Sequence, residues 1–287
     1  MEASLPDQTR ISQVRLRTGN RNRVLRFYRD LLGLQVLPAK DAGLDIALST
    51  TGQEPALIVF DEDASAVPHS QRSTGLFHLA IWYPGRGALA RSCLRILNNH
   101  YPLEGASDHK VSEAIYLSDP DGNGVELYTD RPRSEWVWRN GQVAMSTEPL
   151  DLDNLLAAAK EPSAGAAAAP ELELGHIHLR VSDLAEAERF YHEFLGFGVT
   201  QRSYPGALFF SAGGYHHHIA VNTWGSPAQA KPNSTGLISY RIVVPMREIL
   251  YCLKNRAPLQ GIEVESLGPD LLRLRDPNGN WLEVEAG

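Results

Sequence analysis

The sequence predicts an α+β fold of four βαβββ units, and three observations carry that prediction. The first is internal repetition. Residues 11–36, ISQVRLRTGNRNRVLRFYRDLLGLQV, return as residues 174–199, LGHIHLRVSDLAEAERFYHEFLGFGV, aligning Phe27-Tyr28 with Phe190-Tyr191 and Gly33 with Gly196. The offset of about 163 residues is far outside the periods of solenoids and propellers, so it marks a duplicated domain. The second observation is a repeated strand and turn: STGLFHLAIWYP (73–84) returns as STGLISYRIVVP (234–245), and LSDPDGNGVELY (117–128) as LRDPNGNWLEVE (274–285). The third is periodicity. Ile177, Leu179 and Val181 point to one face of a strand while His176, His178 and Arg180 point to the other.

Each unit opens with such an alternating strand and continues into an amphipathic helix. In the third unit the helix starts from a cap near Asp183, carries Leu184, Ala187, Phe190, Tyr191 and Leu195 at helical spacing, and stops at Gly196. Three strands follow, separated by Gly, Asp and Asn turns. The four units span about residues 10–62, 73–130, 173–224 and 234–287. They divide the chain into a domain over 1–149, a linker over 150–172 and a domain over 173–287. The first part of the linker fits a short helix, and its Ser-Ala-Gly-Ala-Pro remainder suits a surface segment. Residues 131–149, with Trp136 and Trp138, are expected to pack back on the first domain.

Composition narrows the function. No apolar run approaches the roughly 20 residues needed to span a bilayer, and the N-terminus lacks the regions of a secretory signal. Cys93 and Cys252 are too few for a disulfide scaffold or a thiolate-rich zinc site, so a cytoplasmic location is the default. With 34 acidic against 27 basic side chains and the cations scattered, a nucleic-acid surface is not expected. A soluble enzyme or a small-molecule binder remains.

The repeated strand, the FY..LG helix and the DP.GN.(V/L)E ending resemble the vicinal oxygen chelate superfamily over nearly the whole chain. The resemblance implies paired βαβββ units curling as glyoxalase-like domains, with cup-shaped mixed sheets around a divalent metal. Its members include glyoxalases, extradiol dioxygenases, resistance proteins and epimerases, so fold alone does not set the reaction. A narrower match lies in SDHKVSEAIYLSDPDGNGVE (107–126). His109, Ile115-Tyr116, Asp119-Pro120-Asp121-Gly122 and Glu126 resemble the extradiol dioxygenase signature, with Ser107 as a departure. The chain as a whole is similar to two-domain catechol 2,3-dioxygenase-like proteins.

That resemblance implies iron(II), or occasionally manganese(II), held by two His and one carboxylate with an open face for a catecholate and O2. Ligands in the superfamily come from the first and last strands of the units. The slots are Gln13, His78, His176 and Ser239 on first strands, and Ala56, Glu126, His218 and Glu283 on last strands. Pairing the second unit with the third gives His78, Glu126 and His176, the required set. His218 would line the same cup as a neighbour or alternative ligand, and Glu283 is either a further ligand or a relic of the duplication. His178 shares the strand face of His176, and only His216 and His218 of the triple His run are expected to face inward. His109 is carried over as a hydrogen-bonding or proton-transfer group, and Tyr116 as the group that bonds a catecholic oxygen. The leading expectation is an extradiol dioxygenase acting on a small aromatic diol and O2. Two alternatives stand beside it: a glyoxalase- or isomerase-type enzyme using Gln13 with zinc(II) or nickel(II), and a non-catalytic aromatic-binding, resistance-type protein. Many relatives are oligomers, so a homo-oligomer is among the expectations.

Overall fold

The computed structural model describes residues 4–38, 45–160, 171–225 and 228–287. Nearly all of its strands belong to two mixed sheets. One has eight strands in the order Val264–Ser266, Leu271–Arg275, Trp281–Ala286, Gly236–Val244, Arg10–Thr18, Ile58–Glu62, Ile46–Ser49, Gln35–Val36. The other has nine: Glu148–Pro149, Gly105–Asp108, Ser112–Ser118, Gly124–Asp130, Gly75–Trp82, Glu173–Arg180, Ile219–Asn222, Ala207–Ser211, Gly198–Gln201. The four expected units are all present. The sheets join them across the sequence halves, the first with the fourth and the second with the third. At each seam two first strands meet antiparallel, Arg10–Thr18 against Gly236–Val244 and Gly75–Trp82 against Glu173–Arg180.

The repeated motifs explain what binds each half together. In both FY..LG helices the last turn widens, with Leu32 N–H donating to the Phe27 carbonyl and Leu195 N–H to the Phe190 carbonyl, each 2.9 Å. Gly33 and Gly196 then take φ of 89° and 95°, which suits glycine after a helix end. The wide turn lets the Tyr reach inward. Tyr28 donates to Asp119 Oδ2 at 3.0 Å, and Tyr191 to Asp276 Oδ2 at 2.8 Å. Each Asp also accepts from the backbone of its own DP.GN turn, Asp119 from the Asp121 and Asn123 N–H groups. A buried bond to a charged acceptor is worth about 1.5–3 kcal/mol, so each FY helix is locked to the turn of the next unit. The chain is thus tied within halves by Tyr–Asp locks and across halves by sheets.

One continuous apolar core runs under both sheets, from Val14 and Phe60 through Leu79 and Ile177 to Leu282. The first part of the expected linker is helical over Leu152–Ala157, capped by Asp151 accepting from the Asn154 N–H. A short turn over Ala158–Lys160 follows, and residues 161–170 lie outside the described residues. Residues 131–149 pack on the first domain as expected, but only in part. Trp136 is buried with Val111 and Val143 but also against Tyr215 of the third unit, whereas Trp138 stays exposed. No helix among the described residues is long and apolar enough to cross a membrane.

Candidate metal centre

Three neighbouring strands of the nine-stranded sheet bring His78, Glu126 and His176 to one point. His78 comes from Gly75–Trp82, Glu126 from Gly124–Asp130 and His176 from Glu173–Arg180. Ala80 pairs with both Glu126 and His176, and its small side chain leaves room for them to converge. Two register slips aim the residues, one at Gly175 and one at Phe77, so that Phe77 and His78 both reach the cavity although they are adjacent.

Glu126 Oε2 lies 3.0 Å from His78 Nε2 and 3.1 Å from His176 Nε2, and the three donor atoms sit within 4.8 Å of one another. All three side chains are buried. His78 Nε2 makes no hydrogen bond, an orphaned buried nitrogen that a cation would meet. Burial pushes the His176 imidazolium down to about 4 despite the attraction of Glu126, so its ring is neutral at pH 7 with a lone pair to give. Burial pushes the Glu126 carboxyl up, but the two imidazoles outweigh it and hold it well below the usual range. Two imidazoles and one carboxylate on a buried face fit a divalent transition ion such as iron(II).

Gly175 is required beside His176. A Cβ there would stand 1.6 Å from Tyr128 Oη. That hydroxyl lies 2.7 Å from Tyr215 Oη, and Tyr215 in turn donates to Asp130 Oδ2 at 3.1 Å. Gly175→Ala is expected to destabilise by about 3 kcal/mol from overpacking. A thermal melt should show it as a drop of roughly 5–10 °C.

His109 and Tyr116 form a second functional pair at the wall. His109 Nδ1 lies 2.7 Å from the Ser146 carbonyl, so it carries the proton and donates. Its Nε2 is then the acceptor for the Tyr116 hydroxyl at 2.7 Å. Burial, reinforced by Glu126, raises the Tyr116 hydroxyl well above its ordinary pKa, so it remains a donor. Its ring centre is 5.8 Å from that of His78. These groups open on a cavity of about 660 Å³ walled by Phe77, Tyr204, Phe209 and Trp224.

The remaining expected site residues fall elsewhere. His218 Nδ1 accepts from the Ala212 N–H at 3.2 Å, and its ring faces Tyr215 and Phe197. His217 lines the cavity instead, with its ring 4.2 Å from that of His176. The reason is that the strand begins only at Ile219, so alternation does not govern residues 216–218. His216 bonds Asp130 Oδ1 at 3.0 Å. Glu283 stands in the eight-stranded sheet, where Arg241 donates to it at 2.7 and 2.9 Å. The same slot in the other sheet holds Ala80, so the guanidinium occupies the side where a cation would approach Glu283. Gln13 is also in the eight-stranded sheet, donating to the Ala56 carbonyl at 3.1 Å. It cannot join His78 and Glu126 in a glyoxalase-type set. His178 accepts from Asn222 Nδ2 at 2.9 Å, beside rather than in the triad. The Ser146 carbonyl carried no signal in the sequence, and His217 was set aside by strand alternation; Arg180, which also lines the cavity, was on the same strand face as His176 and could have been marked.

A family model described as the Glyoxalase/Bleomycin resistance protein/Dioxygenase superfamily matches residues 10–127 and 173–284. The chain belongs to that superfamily. It is 41% identical to a catechol-2,3-dioxygenase of Bacillus subtilis over 280 residues, 96% of each chain. It is 27% identical to a biphenyl-2,3-diol 1,2-dioxygenase of Rhodococcus globerulus over 169 residues, 58% of this chain and 86% of that one. Among solved structures, glyoxalase I of Zea mays aligns with a TM-score of 0.61 at 13% identity, covering 97% of this chain and 92% of that one, a likeness of fold alone.

Proposed function

We propose that the protein is an extradiol dioxygenase that opens the ring of a catechol with O2, using iron(II) held by His78, Glu126 and His176. The observation that carries the reading is the convergence of two imidazoles and a single carboxylate at the edge of an aromatic-walled cavity, next to the His109–Tyr116 pair. The dioxygenase relatives support it, and the placement of Gln13 in the other sheet weighs against the glyoxalase alternative. When bound, the ion supplies Lewis acidity and a route for electrons between diol and O2.

The protein's own part is positioning and proton handling. Phe77, Phe209 and Trp224 hold the ring by stacking and exclude water. Tyr116, kept protonated, donates to an oxygen of the diol when its hydroxyl turns from His109. His109 Nε2, left with its lone pair by the Nδ1–H bond to the Ser146 carbonyl, takes a proton as the diol ionises and returns it to the product. Tyr116→Phe is expected to lower kcat by about 10²-fold with metal content unchanged, as read by an oxygen electrode and elemental analysis.

The test of the function is anaerobic purification, metal analysis and oxygen uptake with catechol. About one iron per chain, stoichiometric uptake and a yellow product are expected. Zinc or nickel with no uptake would return the glyoxalase-type alternative, and tight aromatic binding that survives removal of metal would return the binding protein.

A further inference from the structure

The cavity that holds the three candidate ligands also holds a cation with no anion to meet it. Arg180 ends the strand Glu173–Arg180, is 7% exposed, and lines the cavity with His176 and His178. Its Nη1 donates to the Leu76 carbonyl and its Nη2 to Gln71 Oε1, both at 2.8 Å, and both acceptors are neutral. Its Cζ lies 4.7 Å from the centre of the Phe77 ring. Burial is the cause that moves its pKa, downward, with no acidic neighbour acting on it among the described residues.

The duplication supplies an internal control. Arg17 holds the same position in the first unit and likewise donates to backbone carbonyls, those of Pro232 and Ser234. In the strand register Arg17 faces Asp61, whereas Arg180 faces Asn222. Two residues on, Asp63 is replaced by Trp224. Asp61 is bonded to Arg15, and the charge of Arg17 is felt through space by both Asp61 and Asp63. In the copy that opens on the candidate metal centre, an amide and an indole stand where those acids stood. A buried guanidinium with no carboxylate nearby is costly unless something else brings the anion. The carbonyl bonds account for two of its five N–H donors, which leaves donors for a bidentate acceptor.

Position adds to this. His176 and Arg180 are four residues apart on one strand, roughly 13 Å between Cα atoms at the usual rise. Phe77 lies between the two ends, its ring 5.2 Å from that of His78 and under the guanidinium of Arg180. The span suits an aromatic ring at the triad and a chain of about two or three carbons toward Arg180. Resting on the reading of this cup as the site of an aromatic diol, we infer that the substrate carries a carboxylate on a short side chain and that Arg180 binds it.

Calorimetric titration of the purified protein with phenylpropionate and, separately, phenylpropanol tests this without turnover. The acid is expected to bind at least about tenfold more tightly than the alcohol. Arg180→Gln should erase that difference and leave the alcohol's affinity as it was, while Arg180→Lys should keep part of it. The thermal midpoint of Arg180→Gln should be at or above that of the parent, because an uncompensated buried charge has gone. Equal affinity for acid and alcohol, or an acid preference that survives Arg180→Gln, overturns the inference. Oxygen uptake with dihydroxyphenylpropionate and with catechol separates it from the underlying function. Uptake with both and no acid preference overturns the anion site and keeps the dioxygenase; acid preference with no uptake on either substrate supports the anion site and removes the dioxygenase.

Discussion

Glu126→Ala is expected to empty the site of metal and to lower oxygen uptake with catechol by on the order of 10³-fold or more. The residue is 3% exposed, and a single oxygen of its side chain faces both imidazole nitrogens at 3.0 and 3.1 Å. Removing it leaves two imidazoles and no anion to offset a divalent ion at a buried site. Glu126→Gln separates charge from shape, since the amide fills the same volume. Both variants should lose metal together, by elemental analysis of protein purified without oxygen, and should retain the fold by circular dichroism. A variant that keeps stoichiometric iron and turnover would remove Glu126 from the ligand set.

What could be read in advance was whatever the duplication repeats. Strand alternation and the FY..LG and DP.GN motifs were visible because each copy vouches for the other, and the Tyr–Asp locks now give the physical reason why both motifs recur together. His78, Glu126 and His176 were legible as a set only by allowing the second and third units to share a sheet; nothing in the local pattern of any one strand requires that. Slot logic failed where a strand starts late, as at Ile219, since His217 turns inward by the shape of the preceding loop. Gly175 was equally hidden. Its equivalent in the first unit is Ser12, so the repeat gave no hint that Tyr128 Oη fills the space above it. Arg180 was legible as a strand residue, but its meaning comes from Asn222 standing opposite it, a pairing that only the register reveals.

Acid is expected to destabilise the metal-free protein steeply as the pH falls from 6.5 toward about 4. His69, His176, His178, His217 and His218 all have their pKa lowered by burial, His176 to about 4 and His218 to about 3. Each folded value lies below the ordinary value of 6.5. In the window between them the unfolded chain binds protons that the folded chain refuses, so stability is present above pH 6.5 and is lost on the way down. Three carboxyls oppose this, Asp61 among them, raised by burial against the pull of Arg15. Burial raises Asp119 to about 6 and raises Asp276 as well, so the folded state takes up protons there more readily than the unfolded one. Five histidines against three aspartates leave the balance with the histidines, and the folded chain should unfold with net uptake of protons at pH 5. Thermal midpoints of chelator-treated protein measured from pH 8 to pH 4 test this directly. Excess iron should raise the midpoints and move the decline to lower pH, because an ion on His78 and His176 competes with protons for the same nitrogens. A flat profile in the metal-free protein would mean that these rings are already charged, or already wet, in the folded state.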